Sequence, residues 1–163
     1  MLRTTSQAAE YWGAKVRYAP NWYSFYGYYI NQSITGSEDK FPTPWALEKY
    51  LKQVPAQEIL EIGCLSGKKL AGLVKAGLSI KGHGVDIAEK AIKLGQKEFN
   101  ERRDGISLEI MDLNAPSLQS KRYDAVLSNG VLHHIAYLEK CIQNIFDSLK
   151  AGGILLASEF TGP

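Results

Sequence analysis

Short apolar segments alternate with segments of helical spacing from about residue 58 onward, and this alternation limits the fold more than any other feature of the chain. Apolar segments of this length predict strands, and apolar residues at three- and four-residue spacing predict the helices between them. Strands that alternate with helices form parallel sheets with right-handed connections. The sequence therefore predicts an α/β domain, and 163 residues are enough for one such domain with a sizeable core.

The pattern predicts five strands, which are Glu58–Gly63, Ile80–Asp86, Ser107–Met111, Tyr123–Ser128 and Ile154–Ser158. Helices are predicted at about 67–76, 88–102 and 137–150, whereas the connection between strands three and four has no strong helical period. The last helix carries an apolar stripe that consists of Leu138, Cys141, Ile142, Ile145, Phe146 and Leu149. We expect a doubly wound, Rossmann-like sheet of order 3-2-1-4-5, with a ligand cleft beyond the carboxyl ends of strands one and four.

The N-terminal part of the chain has a different composition. Residues 11–29 contain nine aromatic side chains without a clean helical or strand period. Thr43-Pro44 is typical of a helix start. We therefore predict an aromatic-rich helical extension over residues 1–42 and a ligand-binding domain over residues 43–163. The extension either closes over the cleft as a lid or packs against the sheet.

Composition excludes several classes of protein. The formal net charge is only +2 and no Lys/Arg run exceeds two residues, which argues against a nucleic-acid partner. No apolar stretch is long enough to span a membrane, and residues 1–10 do not resemble a signal peptide. Two cysteines in a chain of this length indicate reduced thiols. These features together predict a cytoplasmic protein.

Small and polar residues follow the first two predicted strands. The turn from Gly63 to Gly67 would bring backbone N–H groups and a helix N-terminus toward a ligand. Asp86 lies nineteen residues after Gly67, which is the usual distance for a carboxylate that accepts hydrogen bonds from both ribose hydroxyls. Asp86 is equally suited to cap the helix that begins near Ala88, and both roles are compatible.

Strands three and four end in polar residues as well. Asp112 is placed to accept a hydrogen bond from an adenine amino group, or is simply a solvated turn residue. Asn129 follows strand four, and His133 and His134 come shortly after it. The two histidines lack a third ligand at metal-binding spacing, so we predict no metal site. Four consecutive strand ends of this kind favour a nucleoside ligand.

The glycine spacing argues against two other nucleotide-binding loops. A dinucleotide loop that starts at Gly63 requires glycine at positions 65 and 68, where Leu65 and Lys68 stand. A phosphate-binding loop that ends in Gly67-Lys68 requires glycine at 62 and serine or threonine at 69, where Ile62 and Lys69 stand. The spacing therefore disfavours a nicotinamide-dependent oxidoreductase.

The ordered set of motifs resembles the class I methyltransferases that use S-adenosylmethionine (SAM). The resemblance covers roughly residues 43–160. It is carried by Glu61-x-Gly63-x-Leu65-x-Gly67, Val85-Asp86-Ile87, Met111-Asp112-Leu113, Tyr123-Asp124-Ala125-Val126 with Val131-Leu132-His133-His134-Ile135, and Leu149-Lys150-Ala151-Gly152-Gly153. It implies SAM as the cofactor and methyl transfer to a small-molecule acceptor as the reaction.

The same resemblance implies a set of binding residues. Residues near the methionine part of SAM would be Glu61, Gly63, Cys64, Gly67 and the backbone of Asn129. Asp86 would hold the ribose, Asp112 would face the adenine edge, and Leu113 or Ile87 would pack against the ring. His134 would border the acceptor. Because imidazole titrates near neutral pH, we predict His134 as the general base, and the alternative is a structural histidine at the turn between strand and helix.

Two departures from the family pattern lead to an alternative function. Leu65 replaces the central glycine of the first motif, so its side chain either obstructs the cofactor or points away from it. The family usually has two further strands after strand five, which here would be an exposed apolar edge. We therefore expect a truncated domain or a homodimer or other partner at this edge. The alternative is a non-catalytic domain that acts through such a partner.

Overall fold

The computed structural model describes residues 58–75, 78–102 and 105–158. The predicted aromatic extension, the helix start at Thr43-Pro44 and the boundary at residue 42 lie outside these ranges and stay predictions. Within the described ranges, no helix has the length and apolar character needed to cross a membrane.

The described chain alternates between strands and helices as the sequence predicts. The strands are β1 (Glu58–Ile62), β2 (Lys81–Asp86), β3 (Ile106–Ile110), β4 (Tyr123–Asn129) and β5 (Leu149–Ser158). The helices are α1 (Lys68–Lys75), α2 (Glu89–Arg102) and α3 (Leu138–Ser148), and a single 3₁₀ turn covers Leu132–His134. All strand pairs are parallel in the order β3-β2-β1-β4-β5, which confirms the predicted topology.

The start of β5 differs from the sequence prediction by five residues. β5 starts at Leu149 rather than at Ile154, because Leu149 pairs with Tyr123 before the register shifts and Ile154 pairs with Ala125. Glycine at position 152, with φ of 78°, lies in this irregular part of the strand. The connection between β3 and β4 contains no helix in the described residues 111–122, in agreement with its weak periodicity.

Apolar side chains fill both faces of the sheet. Successive residues of the central strand β1 point to opposite faces. Ile59 packs with Leu73 and Phe99 beneath α1 and α2. Leu60 packs with Val126 and Ile145 beneath α3. Burial of both faces is consistent with the apolar runs in β1 and β4, whereas the edge strand β3 is buried only at Leu108.

The apolar stripe predicted for α3 is only partly buried. Cys141 and Ile145 are in the core, whereas Leu138, Ile142 and Phe146 are exposed, Phe146 to 71%. The exposed residues are four positions apart and so form a second line along the same helix. In the described part of the chain β5 is the edge strand beside this helix, so no further element of the sheet covers that line.

Two helical glycines allow a matched test of how tightly α2 packs. A Cβ at Gly95 in α2 would lie 2.6 Å from the backbone oxygen of Ser66 and 2.4 Å from Leu108, whereas a Cβ at Gly72 in α1 meets nothing within 4 Å. Gly95→Ala should lower the free energy of unfolding by about 1–3 kcal/mol through overpacking. Gly72→Ala should raise it by about 0.5–1 kcal/mol through helix propensity. Urea unfolding of both variants measures the difference, and equal effects would contradict this packing.

Candidate functional site

The turn after β1 bends sharply back over the end of β2. Gly63 and Gly67 have φ of 66° and 71°, in the left-handed region that favours glycine. Both Gly63 and Cys64 donate their backbone N–H to the carbonyl oxygen of Val85, at 2.8 and 3.1 Å. Gly67 donates to the carbonyl oxygen of Cys64 at 2.8 Å, which closes the turn. The backbone of this turn is therefore fixed against the strand that ends in Asp86.

Asp86 joins this turn to the start of α2. Its Oδ2 accepts the N–H of Leu65 and its Oδ1 accepts the N–H of Ala88, both at 2.8 Å. The residue is only 6% exposed, and burial raises the pKa of its carboxyl while the backbone donors lower it. The sequence offered a capping role and a ligand role for Asp86. The structure shows the contact at the helix start and directs the carboxylate toward the turn between Gly63 and Gly67.

Leu65 adopts the backbone conformation of a glycine. Its φ is 51°, and among the described residues only Lys121 is another non-glycine residue with positive φ. Holding a leucine there costs roughly 1–2 kcal/mol, and its hydrogen bond to Asp86 offsets part of that cost. The turn therefore has the glycine-like shape even though the central glycine is missing.

Glu61 is a buried carboxylate at the end of β1. Lys69 Nζ in α1 lies 3.5 Å from Oε1 of Glu61. The other oxygen of Glu61, Oε2, has no hydrogen-bond partner. Burial raises the pKa of Glu61 to about 7, an effect that the nearby Lys69 reduces without cancelling. An unpaired carboxylate oxygen in a buried position favours a cationic or hydrogen-bond-donating ligand beside it.

Two predicted cofactor residues have side chains in the core. Cys64 is buried, and a Cβ at Gly84 would lie 2.7 Å from its Sγ. Leu113 packs with Met111 in the cluster beneath α3. A ligand contact from Cys64 would therefore come from its backbone, while Ile87 is half-buried at the end of β2. Cys141 lies in the opposite core cluster from Cys64, and both thiols are free.

A hydrogen-bonded loop follows β3. Asp112 Oδ1 accepts the backbone N–H and the side-chain Nδ2 of Asn114, at 2.9 and 3.0 Å. Asn114 Oδ1 in turn accepts the N–H of Ala136 at 2.8 Å. The sequence analysis missed Asn114. Its partner Ala136, in the segment after β4, is 22 residues away in the chain, and no local sequence pattern indicates such a contact.

The segment after β4 lies against the turn after β1. A Cβ at Gly63 would fall 2.2 Å from Cγ2 of Val131, so glycine is required for this close approach. Asn129 is half-buried at the end of β4. His133 and His134 are exposed in the 3₁₀ turn, with ring centroids 3.9 Å apart. No group of three metal-ligating side chains occurs in the described ranges.

The strand order β3-β2-β1-β4-β5 defines a domain of the doubly wound class, in which ligands bind beyond the carboxyl ends of the strands. Comparison with known families narrows this class. Residues 60–155 match the profile of the methyltransferase domain family, and the chain belongs to this family.

Known relatives share this part of the chain. A ubiquinone biosynthesis O-methyltransferase from Coxiella burnetii is 25% identical over 68% of this chain and 47% of that protein. A malonyl-(acyl-carrier protein) O-methyltransferase from Bacillus cereus is 30% identical over 70% of this chain and 41% of that protein. The chain thus spans less than half the length of these two relatives.

Solved structures show the same fold. The carbon methyltransferase DszA superposes with a TM-score of 0.64 at 24% identity, covering 74% of this chain and 34% of that chain. The 4+2 cyclase SpnF superposes with a TM-score of 0.62 at 18% identity, covering 71% of this chain and 44% of that chain. These two names describe different reactions, so the fold alone does not fix the chemistry.

Glu61 should make stability depend on pH. Its pKa is about 7 in the folded protein against 4.5 for an ordinary glutamate, so the folded state binds the proton more tightly. The folded protein is therefore most stable at low pH, where Glu61 is protonated. On the order of 3 kcal/mol of the free energy of unfolding is lost as the pH rises from about 4.5 to about 7. Glu61→Gln should remove this loss and be more stable than wild type near neutral pH and above.

Urea unfolding of wild type and Glu61→Gln at several pH values measures this effect. The exposed helix residue Glu139 supplies a matched control, because Glu139→Gln should change stability little at any pH. A difference between wild type and Glu61→Gln that does not vary with pH contradicts the buried, protonated state.

Proposed function

We propose that this domain binds SAM beyond the carboxyl ends of β1, β2 and β4 and transfers its methyl group to a small-molecule acceptor. The observation that carries the proposal is the buried Asp86 carboxylate, which is hydrogen-bonded to the turn that would hold the attached amino acid. A carboxylate oxygen accepts two hydrogen bonds, so Asp86 retains capacity for the two hydroxyls of a ribose. The O-methyltransferase names of two relatives favour a small acceptor.

The described residues fit SAM in three respects. The turn has left-handed backbone at Gly63, Leu65 and Gly67, and it lies beside the Asp86 carboxylate at the ends of β1 and β2. The unpaired Oε2 of Glu61 matches the positively charged α-ammonium and sulfonium groups of SAM. Leu65 keeps the turn shape through its φ of 51°, so we expect it to point away from the cofactor.

We assign the remaining roles by position at the strand ends. Gly63, Cys64 and Asn129 would contact the methionine part through their backbones. Leu113 or Ile87 would pack against the adenine ring, and Asp112 would accept a hydrogen bond from the adenine amino group. Leu113 also belongs to the core cluster beneath α3. When bound, SAM supplies the methyl group and the sulfonium leaving group, and the protein mainly orients the reactants.

His134 is our proposed general base. It is exposed in the 3₁₀ turn next to the Gly63 turn, where an acceptor would reach it. A neutral imidazole accepts the proton of an acceptor hydroxyl near physiological pH.

We further propose a cytoplasmic location and the division into a lid-like extension at residues 1–42 and a binding domain at 43–163.

A second function is favoured by one surface. The line formed by Leu138, Ile142 and Phe146 lies on the helix beside the edge strand β5, and both are apolar. Long apolar edge strands pair readily with another chain. The alternative is therefore a domain without catalysis that works through a homodimer or another partner at this edge.

Calorimetric titration with SAM and its demethylated product S-adenosylhomocysteine (SAH) separates the two functions. The methyltransferase proposal expects binding of both ligands, and Asp86→Asn should weaken each by at least about tenfold through the lost charge at the ribose. Asp147→Asn on the exposed end of α3 is the matched control and should bind normally. Absence of binding at millimolar ligand would favour the non-catalytic domain.

His134→Ala tests the proposed base. With an acceptor found by screening small hydroxyl compounds against radiolabelled SAM, the variant should lose about 100-fold or more in kcat while keeping its affinity for SAM. The neighbouring His133→Ala is the control for a general loss of the turn and should retain most of the turnover. Normal turnover by His134→Ala removes His134 from the mechanism.

A further inference from the structure

Asn114 contacts the loop after β3 and the segment after β4 at once. On one side its Nδ2 donates to Asp112 Oδ1 at 3.0 Å. On the other side its Oδ1 accepts the N–H of Ala136 at 2.8 Å and, more weakly, the N–H of Tyr137 at 3.4 Å. The amide nitrogen of Asn114 therefore bonds to the loop after β3, and its amide oxygen bonds to the segment after β4, more than 20 residues further along the chain.

The second contact fixes the start of α3. Tyr137 is the N-cap residue of this helix and makes no side-chain capping hydrogen bond. Backbone N–H groups at a helix start need acceptors from elsewhere. Asn114 Oδ1 accepts the N–H of the N-cap residue Tyr137 at 3.4 Å. It also accepts the N–H of Ala136, one residue before the N-cap and shortly after His133 and His134.

Apolar packing supports the same connection. Leu113, the neighbour of Asn114, lies in the core cluster against which Val131, Leu132 and Ile135 pack. The loop after β3 and the segment after β4 therefore share both a polar bridge and an apolar contact. A shift of one segment would strain the hydrogen bonds of the other.

We propose that Asn114 is a positioning residue that couples the adenine end of the cofactor site to the segment that carries His133 and His134. A ligand that engages Asp112 also restrains Asn114, and Asn114 passes the restraint to the backbone at Ala136. The inference rests on the proposed function, because it takes Asp112 as the residue that faces the adenine.

SAH titrations with two readouts test the coupling. Calorimetry measures affinity, and NMR follows the ring protons of His133 and His134, which are easily assigned because the chain has only three histidines. In wild type, SAH should shift these ring signals. Asn114→Ala should weaken SAH binding by about tenfold and abolish the shift at saturating SAH. Asn144→Ala is the matched control, because Asn144 bonds only to the Lys140 carbonyl within α3 among the contacts described here.

Asn114→Asp separates coupling from a general loss of structure. The variant keeps an oxygen for Ala136 but places a second carboxylate against Asp112. The two carboxylates repel each other, so the contact to Asp112 is lost while the contact to Ala136 is kept. The histidine shifts at saturating SAH should therefore be abolished, as in Asn114→Ala.

The outcomes distinguish this inference from the proposed function. A wild type that does not bind SAH overturns both. A wild type that binds SAH, together with an Asn114→Ala variant that keeps the affinity and the histidine shifts, overturns the coupling alone. An Asn114→Asp variant that keeps the histidine shifts at saturating SAH also overturns it.

Discussion

The hydrogen bonds of one carboxylate determine how the cleft is built. Asp86 accepts from the backbone of Leu65 on one side and of Ala88 on the other, so the turn after β1 and the start of α2 are held by the same group. Because the carboxylate is buried, these bonds act in surroundings of low polarity, where losing a partner is costly. A leucine in the left-handed conformation is tolerated at this point because its amide reaches that carboxylate.

Close backbone approach is the second constraint on the site. Gly63 lies against Val131, and Gly84 lies against Cys64, at distances that leave no room for a Cβ. These contacts bring the turn after β1 onto both the neighbouring strand and the segment after β4. The cleft is therefore a consequence of core packing, and residues such as Cys64 contribute to it mainly by filling the core.

The described domain has polar side chains at the carboxyl ends of its strands and an apolar face along α3 and β5. The polar strand ends lie within residues 60–155, which match the family of methyltransferase domains. The proposed cofactor site does not require the apolar face along α3 and β5. Because this face lies beside the edge strand, it supports a partner-dependent role as the alternative function.

Strand-helix alternation and right-handed connections leave few arrangements, so periodicity in the amino-acid sequence was enough to predict the parallel α/β topology. The same pattern predicted Asp86 and Asp112 at the ends of their strands, which meet at one edge of a parallel sheet. The pattern did not reveal that Glu61 is buried with an unpaired oxygen, that half of the α3 stripe is exposed, or that Asn114 joins two distant loops. These features depend on contacts between residues far apart in the chain, whereas periodicity and motif spacing report only local geometry.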